Sequence, residues 1–294
     1  LVARGAWKDS LHHKGLIICH RLQKVTTVDR PTIIDDSQIS GSYDVVFAVM
    51  QHQQMWNILD SLAAVDAPIV VLVGNNMSAP EMDKTPKTVL FGFQGTAGRR
   101  ENGVVHCVRF GDGSMSIGAL HDAVPEAIKK HMIGLFDGTK YRLTWTSDMD
   151  GWYKTHLTLI LPVAYVCYAV DCNLRKATKM QRGLMLDAAG EACNLLKKLN
   201  VPVLPEGDEE YYQKGKKRTM LSAMFWVMAK TTIGELAASD HCRHAVTEME
   251  GLDQAFCLLR AQAGELPMPA FDTLRTQMPG WALLHERYDE AGTL

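Results

Sequence analysis

The sequence predicts an α/β domain followed by an all-helical domain. Up to about residue 147, continuous apolar runs of strand length alternate with segments of helical spacing, which indicates a parallel sheet covered on both faces. Beyond about residue 150 the strand patterns stop, and apolar residues recur every three or four positions as they do in packed helices. We therefore assign residues 1–147 to the α/β domain and residues 148–294 to the helical domain.

Three uniformly apolar runs carry the strand signal of the first domain. They are YDVVFAVM at 43–50, PIVVLV at 68–73 and TVLFGF at 88–93. Helical spacing at 55–64 connects the first two runs, as in a parallel sheet with crossover helices. Two further runs flank Gly111-Asp112-Gly113 and resemble a hairpin with a glycine-containing turn. We therefore expect a sheet that becomes mixed toward one edge.

Four segments carry helical spacing in the second domain. They are residues 152–170, 174–199, 211–238 and 244–263. The most apolar stretch, LTLILPVAYVCYAV at 157–170, is shorter than the roughly 20 residues that a membrane-spanning helix needs. We interpret it as a buried helix and expect no membrane partner.

Composition and charge narrow the class of protein. The chain has 294 residues, of which 47% are hydrophobic, with 31 Lys plus Arg against 33 Asp plus Glu, as in an ordinary globular protein. The near-neutral balance predicts no nucleic-acid partner. Seven cysteines without a C-x-x-C pair argue against a disulfide framework and predict a reducing compartment, most simply the cytoplasm.

Five segments resemble, in order and spacing, the ketopantoate reductase family. They are LVARGAWKDSLHHKGLII at 1–18, VLVGNNM at 71–77, VLFGFQGTAGRRENGVVH at 89–106, DMDGWYKTH at 148–156 and RHAVTEMEGLD at 243–253. The resemblance covers nearly the whole chain. It implies a Rossmann-type NADP-binding domain, a helical substrate and dimerisation domain, and NADPH-dependent reduction of 2-dehydropantoate to pantoate in pantothenate biosynthesis.

The resemblance also implies that the N-terminal segment of the family is missing from this sequence. In that family an LxxRG-like stretch ends the second strand, after a first strand and a G-x-G-x-x-G turn, and this sequence carries neither before Leu1. Such a turn brings backbone amides and a helix N-terminus to the cofactor pyrophosphate. We therefore expect a chain that lacks on the order of 25 to 30 residues and a sheet without its central strand. A degenerate paralogue is the alternative.

Two residues are candidates for binding the cofactor. Arg4 falls where the family carries a basic residue, and a guanidinium there can bind the 2′-phosphate of NADP as a fork. Asn75 follows an apolar strand at the sheet edge where ligands bind in open α/β folds, and the resemblance assigns it a cofactor contact. The alternatives are a solvated Arg4 and an Asn75 that only serves a turn.

Two residues are candidates for catalysis. Lys154 lies at the start of the long apolar helix, where an ammonium could stabilise and protonate the alkoxide that forms on ketone reduction. The resemblance marks Lys154 as the general acid, and it assigns Glu248 to the substrate hydroxyl or to positioning the lysine. The alternatives are a Lys154 that reaches into water and a Glu248 on a surface helix.

Departures from the family pattern affect the predicted substrate. Thr158 and Pro162 stand where the family carries Asn one and two turns after the lysine, and Asp253 stands where it usually carries Asn. A threonine hydroxyl still donates one hydrogen bond, whereas proline has no polar side-chain group. We retain Thr158 and Asp253 as substrate-binding candidates, with the substrate given as a small 2-oxo acid and a homodimer as the expected assembly.

Two other functions remain open. The first is a catalytically silent paralogue that keeps its helical domain for binding or assembly. The second is a metal protein that uses His241, Cys242 and His244, because histidines three residues apart can share a helix face. No second ligand pair with metal-like spacing accompanies them, so we expect no metal.

Overall fold

The computed structural model describes residues 1–288. These residues form two compact units, one up to Asp150 and one from Gly151 onward. All strands of the described part belong to the first unit, and the second is built from helices. The predicted fold class, an α/β part followed by a helical part, is confirmed.

The first unit contains two sheets. Its strands, in chain order, are β1 (Leu16–His20), β2 (Val25–Asp29), β3 (Val45–Val49), β4 (Ile69–Val73), β5 (Thr88–Gln94), β6 (Thr96–Glu101), β7 (Val104–Arg109), β8 (Ser114–Gly118) and β9 (Arg142–Trp145). The larger sheet has the order β3-β4-β5-β8-β9, and the smaller has the order β2-β1-β7-β6. Its helices are α1 (Gly5–Lys14), α2 (His52–Met55), α3 (Leu59–Ala64), α4 (Ala79–Met82) and α5 (Glu126–Gly134).

The larger sheet is built on β4, which is buried at every residue. β3, β4 and β5 are parallel, as their apolar runs predict, whereas β8 runs antiparallel to β5. The sheet is therefore mixed toward one edge, as expected. One core cluster joins Val71, Leu90, Ile117 and Met132 from β4, β5, β8 and α5. Burial of this kind contributes roughly 25 cal/mol for each Å² of apolar surface, so the cluster stabilises the packing of α5 on the sheet.

The predicted hairpin around Gly111-Asp112-Gly113 is wrong. β7 pairs with β1 and β6 in the smaller sheet, whereas β8 pairs with β5 and β9 in the larger sheet. Gly111 and Gly113 have φ angles of 57° and 90°, so they turn the chain from one sheet to the other. Pairing with β5 buries Met115 and Ile117 of β8 in the core.

β3 forms one edge of the larger sheet within residues 1–288. Phe47 and Val49 on this strand are 37% and 55% exposed. Apolar side chains on a sheet edge are a surface that proteins usually cover. The sequence predicts that the sheet lacks its central strand, which would pair with this edge, and that absence stays a prediction.

The longest helices of the second unit correspond to the predicted segments, whereas the two helices after residue 268 were not predicted. They are α6 (Met149–Ala169), α7 (Lys179–Lys198), α8 (Lys216–Ala229), α9 (Thr232–Gly234), α10 (Asp240–His244), α11 (Val246–Gln262), α12 (Pro269–Gln277) and α13 (Trp281–Tyr288). The segment predicted at 211–238 is divided, because the helix is interrupted at residues 212–215 and again at 230–231, between α8 and α9. A π-helical turn at Glu235–Ser239 then connects α9 to α10. Among the described helices, none combines the length and the apolar character that crossing a bilayer requires.

Asp253 of α11 connects four helices of this unit. Its carboxylate is fully buried and accepts hydrogen bonds from Tyr165 Oη at 2.5 Å, from Arg275 Nε and Nη2 at 2.9 Å each, and from Trp281 Nε1 at 3.1 Å. These donors lie on α6, α12 and α13. The buried carboxylate and loss of solvent both raise the pKa of Tyr165, with burial the larger cause, so the phenol remains a donor.

Replacement of Asp253 should therefore destabilise the helical unit. Asp253→Ala leaves the Tyr165 hydroxyl and the Trp281 N–H without their acceptor, which predicts a loss of roughly 2 to 4 kcal/mol in the free energy of unfolding. Urea denaturation followed by circular dichroism measures the loss.

Asp272→Ala is the matched control. Asp272 also pairs with an arginine through two hydrogen bonds, to Arg260, but its side chain is 50% exposed. We expect a loss of less than about 1 kcal/mol for this variant. Equal small losses in the two variants would contradict the assigned role of Asp253.

Candidate functional site

Arg4 lies immediately before α1, with an extended backbone. Its guanidinium pairs with the Asp36 carboxylate, and the side chains are 71% and 52% exposed. Lys8, one turn further along α1, pairs with Asp35 at 2.5 Å. The predicted phosphate-binding arginine therefore has an acidic neighbour. Acidic residues hold ribose hydroxyls in NAD-binding sites, and the adjacent Asp35-Asp36 was the sequence signal that our assignment of Arg4 overlooked.

Asn75 lies at the carboxyl end of β4, next to Gly74. A Cβ on Gly74 would lie 2.7 Å from the Met50 carbonyl oxygen, and its φ is 148°, so this position requires glycine. Asn76 fills the turn role: its Oδ1 accepts from Ser78 N at 3.0 Å. Asn75 is 8% exposed. The neighbouring asparagine therefore forms this turn, and a ligand-binding role for Asn75 stays a prediction.

Lys154 lies in the second turn of α6 and is half-buried. Its helical neighbours Tyr153 and Leu157 are 2% and 1% exposed, so the lysine stem emerges from an apolar surface. Thr158 and Pro162 follow at four-residue intervals and share its stripe of the helix. The lysine is therefore held by a rigid, packed helix and not by a loop.

The two predicted substrate-binding residues are buried in the helical core. Thr158 has no exposed surface; its hydroxyl donates to Thr155 O at 2.8 Å and accepts from Cys193 Sγ at 3.5 Å. Asp253 is equally buried, and its four donors occupy its acceptor sites. Helical periodicity could not predict these hydrogen bonds, because it indicates which positions face the core but not which side chains they contact there. Neither side chain offers surface to a substrate.

Glu248 lies in the first turn of α11 and is 4% exposed. Glu248 is therefore a buried acid and not an exposed acid on a surface helix. The amide groups of a helix N-terminus stabilise a carboxylate at this position. His241 Nε2 of α10 lies 3.9 Å from Glu248 Oε2. A buried carboxylate beside an imidazole can orient a cation or accept a hydrogen bond from a hydroxyl.

His156 is a further titratable residue in this region, and the sequence analysis did not select it. Its ring stacks on Trp152 at a centroid distance of 5.2 Å and an angle of 14°. Burial lowers the pKa of His156 to about 4, and the field of nearby His241 acts in the same direction. His156 is therefore neutral at physiological pH. It stands two residues after Lys154 in the WYKTH segment, and that proximity was the available signal.

Residues that could hold a metal ion lie elsewhere than the sequence suggested. His121, Asp148 and Asp150 each offer one ligand atom, and these atoms lie within 4.8 Å of one another. In the segment named as a metal alternative, His244 Nδ1 lies 2.7 Å from the Asp240 carbonyl oxygen and His241 approaches Glu248. The two histidines of that segment therefore each have a protein partner.

The lowered pKa of His156 predicts acid sensitivity. The folded value is about 4 against 6.5 for the free side chain, so the unfolded chain takes up a proton first as the pH falls. Stability from this group is nearly complete above about pH 7, and roughly 2 kcal/mol of it is lost by about pH 5. His156→Gln should remove this part of the pH dependence of unfolding in urea.

The exposed His13 supplies the control for this measurement. His13→Gln should leave the pH dependence of the wild type unchanged. A wild-type free energy of unfolding that stays constant between about pH 7 and about pH 5 would contradict the buried, neutral state of His156.

The sequence comparisons and the structure comparisons gave different results. No protein-family model matches the chain, and no curated protein matches it. Among solved structures, D-mandelate dehydrogenase in a ternary complex with NADH and anilino(oxo)acetate is similar over 99% of this chain and 90% of its own, with 15% identity and a TM-score of 0.70.

Two reductases are similar to nearly the same extent. A dimeric ketopantoate reductase from Staphylococcus aureus is 13% identical over 94% of this chain and 88% of its own, with a TM-score of 0.64. The 2-dehydropantoate 2-reductase from Porphyromonas gingivalis W83 is 14% identical over 94% and 86%, also with a TM-score of 0.64. The chain therefore has the fold of the ketopantoate reductases and of D-mandelate dehydrogenase, a Rossmann-type unit followed by a helical unit.

Proposed function

We propose that this protein is a nicotinamide-dependent oxidoreductase that reduces a 2-oxo acid to the 2-hydroxy acid. The observation that carries the proposal is the shared fold along 99% of the chain with an enzyme whose complex holds NADH and anilino(oxo)acetate. The half-buried Lys154 on its packed helix supports it, because ketone reduction needs a proton donor beside an apolar surface.

The residues of the first unit fit a dinucleotide in part. Asn75, at the end of β4, is the proposed contact for the nicotinamide half, and Gly74 before it lets the backbone pass close to the Met50 carbonyl oxygen. Arg4 is exposed and could bind a 2′-phosphate, which makes NADP the proposed form. The sequence carries no G-x-G-x-x-G turn for the pyrophosphate. When bound, the reduced nicotinamide would supply a hydride to the carbonyl carbon.

Lys154 and Glu248 have distinct roles in the proposed reaction. As the carbonyl carbon accepts a hydride, the C=O electron pair moves onto oxygen, and the Lys154 ammonium stabilises this charge and transfers its proton to give the alcohol. The neutral amine then regains a proton from water. Glu248 orients the lysine or accepts a hydrogen bond from a substrate hydroxyl, and burial keeps its carboxylate in one position.

The proposed substrate is 2-dehydropantoate, with pantoate as product and pantothenate biosynthesis as the role. The family pattern around Lys154 and Glu248 supports it, whereas Pro162 and the buried Thr158 reduce the polar groups available for a hydroxylated substrate. A less hydroxylated 2-oxo acid is the first alternative. The proposal includes a homodimer, as in the ketopantoate reductase from Staphylococcus aureus, and a cytoplasmic location.

A silent binding or assembly protein is the second candidate function. The pairing of Arg4 with Asp36 and the occupied acceptor sites of Asp253 favour it, because both remove polar groups from ligand recognition. The enzyme and the silent protein differ in the binding of a reduced nicotinamide cofactor and in the turnover of 2-oxo acids.

Cofactor binding is the first test. The intact chain has six Trp residues, and their fluorescence should be quenched to saturation by NADPH, with NADH as the comparison ligand. Arg4→Ala should weaken NADPH binding about three- to tenfold and leave NADH binding unchanged, as for one phosphate contact at an exposed site. Absence of saturation with both cofactors would support the silent protein.

Turnover of 2-oxo acids is the second test. Lys154→Ala should lower kcat by a factor on the order of 10² to 10⁴, the usual contribution of a general acid. Lys179→Ala, at the exposed start of α7, is the matched control and should retain the wild-type rate. An unchanged kcat in Lys154→Ala would remove this lysine from the proposed role.

A further inference from the structure

The ends of β8 and β9 bring three side chains with metal-binding atoms together. The two strands are parallel neighbours, so their carboxyl ends lie side by side at one edge of the larger sheet. His121 follows the end of β8, and Asp148 and Asp150 follow the end of β9. One ligand atom from each of these three side chains lies within 4.8 Å of the other two.

Backbone contacts hold these two segments together beyond the strands themselves. The amides of Met149 and Asp150 donate to the carbonyl oxygens of residues 119 and 120, each at 3.2 Å. A Cβ on Gly118 would lie 2.2 Å from the Thr146 carbonyl oxygen, so this close approach requires glycine. The three side chains therefore start from backbone that is already paired, and an ion can bind without a rearrangement of the chain.

The closest contact in this group has the spacing of two ligands on one metal ion. His121 Nδ1 lies 3.6 Å from Asp148 Oδ1. With bonds of about 2.1 Å to nitrogen and oxygen, adjacent ligands of a tetrahedral zinc ion lie about 3.4 Å apart. An imidazole nitrogen and a carboxylate oxygen are both acceptors unless a proton or a cation lies between them. A positive charge between the two atoms therefore stabilises this contact.

We propose that His121, Asp148 and Asp150 bind one divalent transition-metal ion, with zinc as the ion that fits the donor set best. One imidazole and two carboxylates are ligands that zinc accepts, and three protein ligands leave a fourth position for water. Calcium instead takes six to eight oxygen ligands. The His121 side chain is 58% exposed, so an ion can enter from solvent. The bound ion would link the loop after β8 to the first turn of α6.

The charges around the three ligands favour a cation. Asp150 lies in the first turn of α6, where the helix dipole is equivalent to about half a positive charge. The two carboxylates exceed that charge. Lys154 stands one turn after Asp150, and the exposed Asp122 stands next to His121, so these two flanking charges are of opposite sign. The site therefore keeps a net negative charge while the imidazole is neutral.

Isothermal titration calorimetry with zinc chloride tests the site on the intact chain after dialysis against a chelator. The wild type should bind zinc saturably. His121→Ala and Asp150→Asn should each weaken this binding at least about tenfold, because each removes one of three ligands. His131→Ala and Asp122→Asn are the matched controls: both residues are exposed and lie outside the cluster, so their replacement should leave zinc binding unchanged.

Thermal unfolding followed by circular dichroism gives a second readout. An ion that binds the folded chain raises its melting temperature, so zinc should raise that of the wild type and of His131→Ala but not that of His121→Ala. The spectrum of each metal-free variant separates the loss of a ligand from the loss of the fold.

Three results would overturn the proposal. The first is a wild type without saturable zinc binding, which would leave a proton between His121 and Asp148. The second is zinc binding that persists in both ligand variants or that the control variants weaken equally. The third is a preference for calcium or magnesium over zinc in the same titration.

This inference goes beyond the proposed function. None of the three ligands is assigned to the cofactor, the substrate or the proton transfer, and the titration needs neither NADPH nor a 2-oxo acid. A chain that fails to bind NADPH can still bind zinc. Failure of the metal site and failure of the enzymatic proposal are therefore distinguishable.

Discussion

The burial of α6 determines the arrangement of the helical unit. Leu157, Leu161, Tyr165 and Tyr168 of this helix are at most 1% exposed, so other helices must surround it. Its two tyrosine hydroxyls need partners once buried, and they find them in the Asp253 carboxylate and the Cys242 carbonyl oxygen. Apolar burial therefore drives the helices to associate, and these directional hydrogen bonds specify how they pack against one another. The packing of α6 thereby positions the backbone that carries Lys154.

The α/β unit depends on a comparable constraint at β4. A strand buried at every residue needs a strand on each side, and β4 has the parallel neighbours β3 and β5. The carboxyl end of β4 requires Gly74, whose missing Cβ accommodates the Met50 carbonyl oxygen. Asn75 is thereby placed at the sheet edge by backbone geometry. In both units the candidate ligand-binding residue lies on or next to a buried element: Asn75 follows β4, and Lys154 lies on α6.

The sequence predicted the features that depend on local pattern. Uniform apolar runs identified β3, β4 and β5, and helical spacing identified α6, α7 and α11 within a few residues. It failed at Gly111-Asp112-Gly113, because a glycine turn is compatible with a hairpin and with a crossing between sheets, and only the burial of Met115 and Ile117 decides between them. It also could not show that Thr158 and Asp253 are fully buried. Both are polar positions on buried helix faces, and their partners Cys193, Arg275 and Trp281 are distant in sequence.

Under the proposed function, nucleotide selectivity would be decided at Arg4 by a small difference between opposing charges. The pair that Arg4 forms with Asp36 is exposed, and exposed pairs contribute at most about 1 kcal/mol, so a phosphate could displace the carboxylate at low cost. The displaced carboxylate remains nearby, and a like charge at about 4 Å in water costs about 1 kcal/mol. These two terms offset much of the gain from the guanidinium contact. A chain with Arg4 and Asp36 together should therefore discriminate modestly between NADP and NAD. Replacing Asp36 would raise the preference for NADP more than adding a second basic residue. The replacement removes the repulsion between the carboxylate and the 2′-phosphate without adding a flexible side chain that binding must order.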